Sequence, residues 1–257
     1  MIKHLKLLIL LVVLGIPFVQ NWTFLETLKL KTFDALVEDK EPSGYFSILN
    51  ITEKDVEREG GYPFPRRRLA DIQNALITRG AIGVGWVTFE NENGVYPLTT
   101  GTVILGEDTG GYKATGVIEN VEVLKNSAYQ GIAVAPTDVD QLVRRMPLLM
   151  RTPDGWVSAY GTEVLKVLAG ADTYIIKTNA NGIQEIRVKG IPAVSTDSLG
   201  RKWISWVDTP QFSLSDLWSN KIDLAGKFIF IGVTAKGVMP QLATPKGLLE
   251  PHKIQTV

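Results

Sequence analysis

The residues able to do chemistry are few. The 257-residue chain has two histidines, His4 and His252, and no cysteine. Thiolate nucleophiles, disulfides and Cys-ligated zinc are thereby excluded. A serine–histidine–aspartate triad would have to use His252. That residue sits in the closing stretch LLEPHKIQTV, which reads better as the start of a terminal helix or a docking strand. Asp138 and Asp140 stand two apart in the turn-like TDVD. The spacing suits a calcium loop, but such a loop needs more oxygen ligands and usually a glycine. They read as turn stabilisers, with Arg144 and Arg145 as ion-pair partners. The glycine run at residues 106–116 (GEDTGGYKATG) lacks the Gly-Lys-Ser/Thr ending of a phosphate loop, and no periodic helix follows it. It reads as a surface loop. Nothing singles out a glycosidase-type carboxylate pair. Trp86, Trp203 and Trp206 fall on predicted strands, where a buried core role is preferred to sugar stacking. The sequence assigns no catalytic residue, no metal ligand and no cofactor.

Binding has better candidates. Thr234, followed by Ala235 and Gly237, ends an apolar strand and offers a hydroxyl and backbone N–H groups at its carboxyl end. In open α/β sheets ligands bind at that edge. Arg66 begins a helix after Pro65; it reaches back over the strand ends toward an anion, or it pairs with Glu59, and the pairing is preferred. Arg67 and Arg68 are read as solvated. The candidate ligand-binding residues are therefore Arg66, Thr234, Ala235 and Gly237. Lys plus Arg equals Asp plus Glu at 27 each, so charge points neither to nucleic acid nor to cation storage.

These residues need a frame. Residues 24–37 are helical, with Leu28, Phe33 and Leu36 as the packing face, until Pro42, Ser43 and Gly44 interrupt them. Residues 45–51 (YFSILNI) form a strand. A helix opened by Pro65 carries Leu69, Ile72, Leu76 and Ile77 and ends at Gly80. Residues 81–89 (AIGVGWVTF) form a second strand, which predicts a parallel pair with a right-handed crossover. Residues 91–131 are a long irregular excursion with one strand at 102–105. Later come a strand at 130–135, a helix on Tyr160, Val164, Leu165 and Leu168 ended by Gly170, and a hairpin of 174–176 with 183–188 through Asn179, Asn181 and Gly182. Then follow a strand at 203–207, a short helix over Leu214 and Leu217 opened by the Ser213/Asp216 capping box, and a strand at 227–233 (KFIFIGV). The expected fold is α/β, a mixed, mostly parallel sheet sandwiched by helices and preceded by one N-terminal transmembrane helix.

That last element rests on residues 5–25. The strictly apolar run, 7–19, is short and contains Gly15 and Pro17, with Lys3 and Lys6 before it. Positive flanks stay cytoplasmic. An uncleaved signal-anchor is preferred to a cleaved signal peptide and to a buried helix. The first two place the rest of the chain outside the cell membrane, periplasmic or extracellular. The expected organisation is an anchor over 1–25, a stalk or first helix over 26–44 and a sensory domain over 45–257.

Four stretches in this order carry a resemblance: residues 62–89 (YPFPRRRLADIQNALITRGAIGVGWVTF), 137–150 (TDVDQLVRRMPLLM), 212–237 (FSLSDLWSNKIDLAGKFIFIGVTAKG) and 244–247 (TPKG). With the N-terminal helix and the strand at 46–51, they resemble the second type of CHASE domain, the cyclase and histidine-kinase associated sensory extracellular module. The resemblance implies an extracytoplasmic sensory domain that binds a small-molecule ligand and is usually fused to a cyclase or kinase. No output region is read in these residues, so a signal is expected to pass through a homodimer or a separate output protein touching the stalk helix. The chain departs from the family pattern where Thr52, Trp86 and Pro240 replace acids at strand ends and Gln141 replaces a glycine. These changes point to a diverged module, and the alternative is a structural or interaction scaffold that reuses the sensory fold.

Overall fold

The run FIFIGV has six buried residues in succession, and a strand buried on both faces must lie inside a sheet. The computed structural model describes residues 23–87, 99–100, 103–105, 111–114, 117–118, 129–219 and 221–256. The first elements are α1 (Thr23–Leu36), β1 (Phe46–Ile51), α2 (Glu53–Glu59), α3 (Arg66–Thr78) and β2 (Gly83–Trp86). Short strands follow: β3 (Thr99–Thr100), β4 (Val103–Leu105), β5 (Tyr112–Ala114), β6 (Val117–Ile118), β7 (Arg145–Pro147), β8 (Leu149–Thr152) and β9 (Gly155–Ser158). Next come α4 (Tyr160–Leu168), β10 (Tyr174–Asn179), β11 (Gly182–Val188), β12 (Val194–Ser195), β13 (Arg201–Trp203) and β14 (Gln211–Ser213). The chain continues with α5 (Leu214–Trp218), β15 (Phe228–Val233), β16 (Leu242–Thr244), β17 (Gly247–Leu249) and α6 (Pro251–Ile254).

The central sheet has the order β14-β1-β15-β2 and is parallel throughout. Successive side chains of a strand alternate between its faces. Ile229, Ile231 and Val233 accordingly join Leu49 and Ile51 against Ile72, Leu76, Leu214 and Leu217 of α3 and α5. Phe228 and Phe230 join Ile48 against Tyr160 and Val164 of α4. The sheet is sandwiched by helices as expected. The mixed character lies in smaller sheets, most of whose pairings are antiparallel.

Several expectations need correction. β1 and β2 are parallel but not adjacent, because β15 lies between them; its wholly apolar sequence takes the position with a neighbour on each edge. On α1, Leu28 is 51% and Leu36 75% exposed, while Leu30 is buried, and Phe33 packs on Trp203 with ring centroids 4.0 Å apart. Residues 130–135 form no strand, only a bridge between Ile132 and Ala159. The strand expected at 203–207 lies at β13, and Val207 makes a bridge to Lys40. Within the glycine run, β5 is a strand and Tyr112 is buried. Helix α2 was not expected at all. Among the described residues no helix is long and apolar enough to cross a membrane, and the anchor expected over 1–25 falls almost entirely outside them.

Candidate functional site

Because β14, β1, β15 and β2 run in one direction, their carboxyl ends share one edge of the sheet. After β1 the chain turns at once into α2. Thr52 caps this helix: its N–H and hydroxyl donate to Asp55 at 2.9 and 2.6 Å. After β15 the Thr234 N–H donates to the Ile51 carbonyl at 2.9 Å, and the Lys236 N–H donates to the Glu53 carboxylate at 2.9 Å. Ala235 is buried in the apolar cluster that also holds Phe64 and Met239. Gly237 takes a left-handed φ of 76° at an exposed position.

The edge thus brings together Thr234, Ala235 and Gly237, and Glu53 already occupies one of the turn's amides. Arg66 is exposed at the start of α3. Arg68, read as solvated, pairs with Glu59 at 2.7 Å, and its guanidinium also lies over the Trp218 ring. Of the replaced acids, Thr52 is a helix cap and Trp86 is buried, its indole N–H donating to Gln73 at 3.1 Å. Pro240 is exposed. Glu53 and Asp55, which stand at this edge, both come from α2 and both hold backbone N–H groups.

The densest polar chemistry lies elsewhere. Arg144 is 2% exposed, yet it carries two carboxylates on one guanidinium. Its Nε and Nη2 donate to Asp34 of α1 at 2.8 and 2.8 Å, and its Nη1 and Nη2 donate to Asp140 at 2.7 and 2.7 Å. Bidentate pairs of this kind are the strong charge-assisted ones. The hydrogen bond from Arg144 holds the Asp140 carboxyl below its usual range, and Asp140 and Asp34 raise the guanidinium's pKa in return. Arg145 pairs with Asp138 and with Asp197, and Arg201 pairs with Asp197 at 2.8 Å. Arg145 also lies over Trp203, the residue on which Phe33 packs. The expected pairing of Asp138 and Asp140 with Arg144 and Arg145 is present. Asp34 and Asp197 were missed; the signal for Asp34 was its place one turn beyond Leu30, on the face of α1 that turns inward.

His252 is structural. It is wholly buried, and its Nε2 lies 2.9 Å from Asn50 Oδ1. The Asn50 amide in turn donates to Gln211 at 2.9 Å. Neither a serine nor a carboxylate hydrogen-bonds it among the described residues. Burial lowers its pKa to about 4, so at neutral pH it is an uncharged ring inside the core. No group of His, Asp and Glu able to hold a metal occurs among the described residues.

The architecture is that of an α/β sandwich domain whose leading helix is fastened to its flank by a buried arginine. A family model described as the CHASE2 domain matches residues 7–257, and the chain belongs to that family of sensory domains. No curated protein and no solved structure matched the chain.

Proposed function

We propose that this chain is a membrane-anchored, outward-facing sensory domain that binds a small molecule and passes the event along α1 to a second copy or to a separate output protein. It acts by binding, not by catalysis. The observation that carries this reading is the pair of Arg144 with Asp34. It ties α1, which follows the apolar N-terminal run in sequence, to the loop and strands of the domain body. A change of packing in the body is thereby felt by α1, because a guanidinium fork holds its partner in one geometry only.

The test is protease accessibility of a C-terminal tag in intact cells or spheroplasts, with membrane and soluble fractions assayed together. A membrane-bound tag cleaved from outside supports the reading; a protected or cytosolic tag overturns it. A thermal-shift screen then separates sensor from scaffold. A ligand bound to the folded state alone raises its melting temperature, whereas a rigid scaffold responds to none.

A further inference from the structure

Between β2, an edge strand of the central sheet, and α4 lies a cleft of about 200 Å³. Val84, Trp86, Val164 and Phe228 give it apolar walls. Tyr160 lines it as well and is only 8% exposed. Its hydroxyl stands over the backbone of Gly85, where a Cβ would come within 2.3 Å of it; the glycine is what lets the ring reach this far. That hydroxyl has no hydrogen-bond partner among the described residues, and burial alone raises its pKa.

Held by no described residue, the hydroxyl of this cleft-lining tyrosine is available to whatever fills the space beside it. The phenol keeps its proton and has no acceptor among the described residues. No lysine or arginine among the described residues lines the cleft, so an anion finds no counter-charge among them. The single carboxylate among the described lining residues, Glu163, is held by Lys166 at 2.9 Å, so a cation finds no free one among them. We propose that this cleft is the ligand site, and that it takes a compact, uncharged molecule with a ring-sized apolar body and a carbonyl-type acceptor for the Tyr160 proton. The inference rests on the sensory reading above. A cavity of about 150 Å³ holds benzene, which leaves room here for one polar substituent.

The probes are benzamide, benzoate and toluene, titrated into the full-length chain in lipid nanodiscs and followed by saturation-transfer NMR. Benzamide should bind saturably and benzoate should not. Tyr160→Phe should weaken benzamide at least tenfold and leave toluene unchanged. Its unliganded melting temperature should stay close to that of the wild type, because the variant breaks no hydrogen bond to a described residue. Val167→Trp, which fills the cleft, should abolish binding of both benzamide and toluene. Failure of benzamide to bind the wild type, or equal binding by Tyr160→Phe, overturns the assignment. If that happens while the small-molecule fraction of a cell extract still raises the melting temperature, the sensory reading stands and only this site is lost.

Discussion

His252 and Asn50 are 202 residues apart in sequence, and the histidine Nε2 lies 2.9 Å from the asparagine Oδ1. Since the Asn50 amide nitrogen donates to Gln211, its oxygen is the acceptor, and the histidine proton must sit on Nε2. That leaves Nδ1 buried without a partner. The tautomer follows from the hydrogen-bond chain alone.

This arrangement makes stability depend on pH with a defined sign. The folded-state pKa of about 4 lies below the unfolded value of about 6.5, so the unfolded chain binds the extra proton between the two. The stabilisation is fully present above about pH 6.5 and is lost as the pH falls toward 4, amounting to about 3 kcal/mol. Urea unfolding across this range should show that loss. It should be much reduced in His252→Gln, which keeps a donor for Asn50 but cannot titrate.

Gly232 bears on the same histidine. A Cβ there would stand 2.0 Å from the His252 ring, in the central strand where backbone cannot retreat. Gly232→Ala should cost about 3 kcal/mol or more, at or beyond the upper end of typical overpacking costs. Soluble yield and the chemical-denaturation midpoint measure it.

Removal of Arg144 leaves Asp34 and Asp140 without their shared partner. Breaking a buried ion pair from one side costs about 3–5 kcal/mol, so Arg144→Met should be among the most damaging substitutions in the chain. Asp34→Asn should cost less and act locally. Amide exchange along α1 should quicken while the central sheet stays protected.

Gln141 is the one non-glycine residue with a positive φ among the described residues, at 65°. The left-handed conformation costs a side chain about 1–2 kcal/mol, of which a glycine's greater unfolded freedom returns about half. Gln141→Gly should raise stability by about 0.5–1 kcal/mol, read as a shift of the urea midpoint at unchanged slope.

Local signals were legible in the sequence where they were self-contained. The Ser213/Asp216 capping box, the glycine stop after Leu168, the hairpin of β10 with β11 and the unbroken apolar run of β15 each depend on residues a few positions apart. The sheet order was not legible, because it is decided by competition for burial among distant strands, and β15 outcompetes β2 for the place beside β1. Helix α2 was overlooked although Thr52 and Asp55 spell its cap, since its seven residues EKDVERE carry no apolar period. At the candidate sites, the acids of the Asp138–Asp140 turn announced their arginines. Asp34 offered only its place one turn beyond Leu30, and Tyr160 gave no sign, because a phenol's partners are defined only by what surrounds it.

The central position of β15 has a consequence for how the chain becomes a domain. Its neighbour β1 emerges early in synthesis, and the two meet across 183 residues where Thr234 reaches Ile51. Until residues 228–233 exist, β1 and β2 have no common partner, and their apolar faces stay open. Closure of so distant a pairing is slow, and open strands of this kind are prone to aggregate. The nascent chain therefore waits for residues 228–233, and loss of that strand would remove the middle of the central sheet.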